Sequence, residues 1–262
     1  MKLSIITINY NNAQGLEDTI KSIISQSSQD FEYLVIDGAS TDSSVDIIKN
    51  YAENISYWIS EPDSGIYNAM NKGIKQAKGE YILFVNSGDI LLENAKIDYI
   101  ISQATGEDLI YYDIDIFDID NNTHRLKTYP DFLDFKYFVS DSLPHPATLI
   151  KKELFDKHGF YSENIKIISD WAFFMDVVCL KACTYKHISE SFSSFNSGGI
   201  SSQTENQKLI LAEKGKHISL NYKLYESIYK EWLSNREELY KLKVAASVRF
   251  LKKLGLLRWL KL

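Results

Sequence analysis

"EPDSGIYNAMNKGIKQAKGEYILFVNSGDI", residues 61–90, joins a helix-spaced run to a short apolar run, Tyr81 to Val85, that stops abruptly on Asn86-Ser87-Gly88-Asp89. The first half, "GIYNAMNKGIKQA", repeats apolar residues at the spacing of an amphipathic helix. The second half is continuous in apolar residues and bounded by turn formers, the pattern of a strand buried on both faces. A turn accounts for Asn, Ser and Gly. It does not account for a carboxylate at the end of a core strand, and the same ending recurs upstream.

"LSIITINY" reads as a strand ending in Asn9-Tyr10-Asn11-Asn12, and "GLEDTIKSIISQS" as a helix. "FEYLVID" is a second strand, whose exit "IDGASTD" brings Asp37 and Asp42. The helix "SSVDIIKNYAE" and the strand "ISYWISE" follow, and the third strand runs out into "EPDSG", with Asp63 and Gly65. Strands alternating with helices predict an α/β fold, a mostly parallel sheet with crossover helices. Ligands of such sheets sit at the carboxyl ends of the strands. Any one polar ending is explained as a turn or cap; Asp42 or Ser43 would serve as the N-cap of the second helix. Four successive ones on a single edge point to a ligand site.

Beyond residue 107 the texture changes. "DLIYYDIDIFDIDNNTHRLKTYP" alternates apolar and acidic residues and turns at Asn121-Asn122, predicting a hairpin with one polar face. "SLPHPATLIKKELFDKHGFYSE" predicts a strand and a short helix, and "SDWAFFMDVVCLKA" a helix with Ser169 or Asp170 near its start. From about Gln203 onward the chain reads as helices only.

Charge is unevenly spread over the 262 residues, whose formal net charge is −6. Residues 241–262 hold seven basic residues and no acidic one, which leaves 22 basic against 35 acidic, a net of −13, for residues 1–240. An acidic body opposes a nucleic-acid partner. The two cysteines, Cys179 and Cys183, lie in one helical stretch and form no disulfide framework, so a cytoplasmic location is expected. "MKLSIITINYNN" lacks the apolar core of a signal peptide, and no apolar run reaches the roughly 18–20 residues of a membrane span. The tail, "KLKVAASVRFLKKLGLLRWLKL", gathers Lys241, Arg249, Lys252 and Lys253 on one part of a helical wheel, with Trp259 near its end. That pattern predicts docking on an anionic membrane surface, peripherally on the inner face of the cell membrane. The competing reading is packing on the acidic body or on a second copy of the chain, as a homo-oligomer.

No Gly-rich phosphate loop is present, neither GxGxxG nor GxxxxGK[ST]. Carboxylates at strand ends suit the NH and OH groups of a base or ribose, and a hard divalent cation. Asp89 on its Ser-Gly turn is the candidate ligand for Mn²⁺ or Mg²⁺. The helix starting near Gly65 offers backbone N–H groups to an anion. Lys72, farther along it, is either a phosphate contact or a solvated lysine.

"SIITINYNN", "VIDGASTDSS", the 61–89 stretch and "SDWAFFMDV" together resemble family 2 glycosyltransferases of the GT-A fold, of the bacterial type that builds capsule, O-antigen or exopolysaccharide. The resemblance covers about residues 1–200 and implies a GT-A domain over 1–203 with a C-terminal helical extension over 204–262. It implies an inverting, metal-dependent hexosyl or N-acetylhexosaminyl transfer from a nucleotide-diphospho-sugar, usually UDP-linked, to a glycan or lipid-linked acceptor. The nucleotide-sugar site implied comprises Thr7, Asn9, Tyr10, Asn11, Asp37, Asp42, Asp63, Gly65, Asn71, Lys72, Asn86 and Ser87. Asp37 would accept from the nucleobase, and Asp42 would hold the nucleotide loop or ribose. Asp89 falls at the last acid of the metal motif and Asp170 at the catalytic acid.

The family often carries a second acid in the metal motif, where this chain has Gly88. A lone carboxylate would bind metal weakly without a nucleotide. Weaker candidates for the acceptor side are Asp113, His145 and Trp171, and "FNSGGISS" (195–202) is a candidate closing loop. Two other readings are a catalytically inactive glycosyltransferase-like assembly partner and a sugar nucleotidyltransferase. The latter is disfavoured because "NYNNAQGLED" is neither basic nor Gly-rich.

Overall fold

A computed structural model describes residues 2–245 apart from 29, 94 and 120. The strands are β1 (Leu3–Asn9), β2 (Phe31–Asp37), β3 (Tyr57–Ser60), β4 (Tyr81–Phe84), β5 (Ile90–Leu91), β6 (Leu109–Asp118), β7 (Thr123–Lys127), β8 (Thr148–Lys151) and β9 (Tyr185–Asn196). The helices are α1 (Ala13–Ile24), α2 (Ser44–Asn50), α3 (Ile66–Gln76), α4 (Ile97–Ser102), α5 (Phe135–Ser140), α6 (Lys152–His158), α7 (Ser169–Cys179), α8 (Gln207–Asn221) and α9 (Glu226–Val244). The strands form one sheet in the order β3-β2-β1-β4-β8-β6-β9-β5, with β7 paired to β6.

The first four strands are the predicted parallel unit. Every residue of β1, β2 and β4 is buried, as continuous apolar runs between two helical layers require. Register aligns Asn9 with Asp37 and Asp37 with Ser60, so the polar ends of three strands share one edge. Helices lie close on this sheet. A Cβ on Gly73 of α3 would stand 2.7 Å from Ile6 Cγ2, and one on Gly79 would stand 2.5 Å from the backbone nitrogen of Ser4. Backbone cannot yield as a side chain can, so Gly79→Ala will destabilise the fold by about 1–3 kcal/mol, measured by urea denaturation. An unchanged midpoint would show that the α3–β4 turn can shift.

The second half differs from expectation in two ways. The first strand of the hairpin is buried from Leu109 to Ile114 rather than polar on one face, and it is an interior strand of the sheet, between β8 and β9. The twelve-residue β9, parallel to β6, has no counterpart in the sequence reading. Its residues, "YKHISESFSSFN", are polar and mostly half-exposed or exposed, so they carry little apolar periodicity. Here pairing with β6, not pattern, makes the strand.

The chain divides into two compact units at Ile210/Leu211. In the second, Tyr229 donates to the Leu211 carbonyl at 3.1 Å and stacks on Trp232, which lies under the Arg236 guanidinium. No helix among the described residues is long and apolar enough to cross a membrane. The basic tail beyond residue 245 lies outside the described residues.

Candidate active site

Asp37 ends β2 fully buried, and its two oxygens take four donors: Asn9 Nδ2 at 2.8 Å, Ser40 Oγ at 2.5 Å, Ser40 N at 2.9 Å and Ser60 Oγ at 2.6 Å. Burial pushes its pKa up, but these hydrogen bonds outweigh burial and hold it below the ordinary value. A carboxylate has about four acceptor sites. In this geometry those sites are taken within the chain, so Asp37 shapes the loop. The loop it builds is tight, with Ala39 in the left-handed region at φ 59°.

Ser40, which the sequence reading did not single out, is the hub of that loop. Its hydroxyl also takes the backbone N–H of Asn11 at 2.8 Å, while Asn11 Oδ1 takes that of Thr41 at 2.8 Å. Asp42 bridges Ala13 N and Ser44 N, each at 3.0 Å, and so ties the start of α1 to the start of α2. Ser44 and Ala13 hold its carboxyl below the usual range. On this clamped pair of loops Tyr10 stands 68% exposed, its ring against Gly38. That is an open aromatic face at the carboxyl end of β1.

Thr7, Asn71 and Lys72 are each engaged within the chain. Thr7 is buried within β1, donating to the Val85 carbonyl and accepting from Tyr33 OH. Asn71 is 3% exposed and spends its amide on the backbone of Tyr161 and on Glu163, holding the 161–163 loop. Lys72 pairs with Asp63 at 2.5 Å and Glu61 at 2.9 Å, and donates to the Pro62 carbonyl. Lys72 thus fastens the segment that leads into α3. Gly65 opens α3 at φ 139° with no side-chain cap and open space where a Cβ would stand. The first-turn N–H groups of α3 thus begin at an unobstructed surface.

β4 releases the chain into Asn86-Ser87-Gly88-Asp89. Ser87 and Asn12 brace this turn through reciprocal bonds, Asn12 Nδ2 to Ser87 O and Ser87 Oγ to Asn12 O. Gly88 lies at φ 103°, a conformation L side chains rarely adopt. This turn therefore has no place for a second acid. Asp89 is 6% exposed; its Oδ1 takes the backbone N–H of Asn196, from β9, at 3.0 Å. Among the described residues no cationic side chain pairs with it. Burial pushes its pKa up to about 7, with the amides of Asn196 and Asn86 opposing. The carbonyl oxygen of the Asn86 side chain is buried without a partner.

This donor set tests the metal expectation. Carboxylate and amide oxygens are the hard donors that Mn²⁺ and Mg²⁺ favour. Among the described residues, no three His, Cys, Asp or Glu side chains converge on one point. The residues fit a cation that brings further oxygens of its own, such as those of a diphosphate.

Asp170 stands in the first turn of α7, half-buried, with Tyr67 OH donating to its Oδ1 at 2.7 Å. Tyr67 lies in the quoted "GIYNAM" run, where helical spacing alone makes it one more helix residue. The weaker acceptor-side candidates are internal. Trp171 is 2% exposed and its indole N–H bonds the carbonyls of Phe138 and Asp141, because the residue after Asp170 is turned about 100° around α7 from it. His145 is buried against the rings of Phe84 and Phe174, 2.9 Å from Tyr161 OH. Burial lowers its pKa against the pull of Asp170, which favours the neutral ring. Asp113 is buried between Tyr129 N and His187 Nε2, each at 2.9 Å. The 195–202 segment is the end of β9 and the short turn after it, and it reaches Asp89 through Asn196.

Comparison with known proteins agrees with this layout. A glycosyltransferase from Mycobacterium bovis (strain BCG / Pasteur 1173P2), named for PGL/p-HBAD biosynthesis, is 28% identical over 235 residues, 87% of this chain and 90% of its own. Among solved structures, S. aureus TarS 1–349 in complex with UDP-GlcNAc superposes with a TM-score of 0.65 at 19% identity, over 95% of this chain and 78% of that one. The full TarS chain is longer, and this chain spans 46% of it. The mannosyltransferase PcManGT from Pyrobaculum calidifontis, in complex with GDP-Man and Mn²⁺, gives 0.67 at 13% identity, over 99% and 81%. The model of glycosyl transferase family 2 matches residues 4–171. That match begins in β1 and ends one residue past Asp170, so it takes in the ends of β1 to β4 and the start of α7, and the chain is a family 2 glycosyltransferase of the GT-A fold.

Proposed function

We propose that the chain moves a hexosyl or N-acetylhexosaminyl unit from a UDP-sugar to a hydroxyl of a glycan or lipid-linked acceptor, with inversion, in cell-surface polysaccharide synthesis. The observation that carries this reading is Asp89, a buried carboxylate with no cationic partner among the described residues, on the same turn as the unpartnered Asn86 oxygen. An uncompensated charge of this kind is costly unless a cation meets it. The solved relatives with UDP-GlcNAc and with GDP-Man and Mn²⁺ support a nucleotide-sugar and a divalent metal.

In this proposal the exposed ring of Tyr10 stacks the base, on loops that Asp37, Ser40 and Asp42 hold in place. The open first turn of α3 at Gly65 faces the diphosphate with N–H groups. Asp89 and Asn86 would hold Mn²⁺ or Mg²⁺, whose charge would neutralise the departing diphosphate. Asp170 takes the proton of the acceptor hydroxyl as its oxygen attacks the anomeric carbon, and one displacement inverts that carbon. Sequence alone supports the 1–203 and 204–262 division, a cytoplasmic setting and membrane docking by the basic tail.

The test is calorimetric titration with UDP, GDP and dTDP, each with and without Mn²⁺. UDP is expected to bind, and more tightly with Mn²⁺. If no nucleotide binds under any condition, the donor site is wrong and the inactive-partner reading, which Gly88 favours, takes over.

A further inference from the structure

Tyr67 OH lies within hydrogen-bond distance of two acceptors, Asp170 Oδ1 at 2.7 Å and the Ile167 carbonyl at 2.5 Å, yet it has one proton to give. The phenol is 4% exposed and projects from the first turn of α3 onto the first turn of α7. Burial, and then the nearby Asp170 charge, push its pKa well above the ordinary value, so it stays protonated. We propose that Tyr67 is the positioning residue of Asp170, and that its hydroxyl turns between these two acceptors as Asp170 changes protonation state.

While Asp170 is ionised, Tyr67 donates to it and holds the carboxylate at a fixed rotamer. The acceptor hydroxyl then passes its proton to Asp170, and its oxygen lone pair forms the new bond to the anomeric carbon. The bond from that carbon to the diphosphate oxygen breaks, and the electron pair leaves with the diphosphate. Asp170 is now a neutral acid with a proton to donate. The Tyr67 hydroxyl rotates to the Ile167 carbonyl and presents an oxygen lone pair to the new O–H. Neither protonation state strands a polar group, which in a buried setting would cost about 1–3 kcal/mol. The other titratable groups that act on Asp170 are Tyr161 and His145, and they bond each other instead. Tyr67 alone makes the direct contact among the described residues.

This inference rests on Asp170 as the base, so both are tested together. Tyr67→Phe removes the hydroxyl and keeps the ring, which packs on Tyr161 at 5.6 Å. The control is Tyr111→Phe, which removes a buried hydroxyl bonded to the Pro130 carbonyl, away from the site. Tyr67→Phe is expected to lower kcat about 10–100-fold with KM for the donor unchanged. Such a split, with binding intact and turnover lost, is what a residue that orients the base should show. Tyr111→Phe should match wild type in both. A wild-type kcat for Tyr67→Phe, with Asp170→Asn inactive, overturns the role of Tyr67 and leaves the base in place. An active Asp170→Asn overturns the base itself.

Discussion

Asp170→Asn lowers kcat by about 10²–10⁴-fold, the range that a positioned general base supplies, while UDP affinity stays within about twofold. The substitution is nearly isosteric. An asparagine oxygen still accepts from Tyr67 OH, so the contact between α3 and α7 survives and the fold with it. What is lost is the capacity to take a proton, and with it the route by which an acceptor hydroxyl becomes a nucleophile. Nucleotide binding is spared because the groups assigned to it sit on the ends of β1, β2 and β4 and at Gly65, not on α7. Release of UDP from the donor in the presence of acceptor, beside calorimetric UDP affinity, reads both quantities. Equal losses in affinity and turnover would mean that Asp170 binds the donor.

Asp89→Asn removes the Mn²⁺ dependence of nucleotide binding and, without ligand, makes the protein more stable. The sign follows from burial. The folded pKa of Asp89 is raised to about 7 from 3.8, so the folded state disfavours the charged form. Below pH 3.8 the group is protonated folded or unfolded, and it costs nothing. The cost grows between pH 3.8 and 7 and levels off above, at about 4 kcal/mol from 1.36 kcal/mol per unit. A neutral asparagine avoids that cost and keeps an oxygen for the Asn196 amide. In metal-free buffer the variant should therefore exceed wild type by up to about 4 kcal/mol at pH 8, with the gap closing toward pH 4. UDP with Mn²⁺ should raise the wild-type Tm and leave the variant nearly unmoved. Urea denaturation at both pH values checks the first claim, and thermal melts with ligand check the second. A variant less stable than wild type at pH 8 would show that Asp89 is already compensated within the protein.

A stability penalty at Asp89 is what a site kept ready for a cation should show, since a strong internal partner would compete with the ligand. The same comparison explains why Asp37 is a different kind of carboxylate. Four donors satisfy it, so it stabilises the loop.

By itself the sequence determined the alternation of strands and helices through β4, the shared polar edge, and the carboxylates at the ends of β4 and α7's first turn. Those features are local: apolar runs, helical spacing and turn formers lie within a few residues of one another. Only the tertiary structure decided which polar residues on that edge are free. Asp37, Asn71 and Lys72 look like ligand groups in the sequence, yet they are spent on Ser40 and Ser60, on Tyr161 and Glu163, and on Asp63 and Glu61. Several of those partners lie many residues away, and no local pattern records them. For the same reason β9 was invisible until β6 paired with it, and Tyr67 looked like one more core residue until α7 brought Asp170 to its hydroxyl.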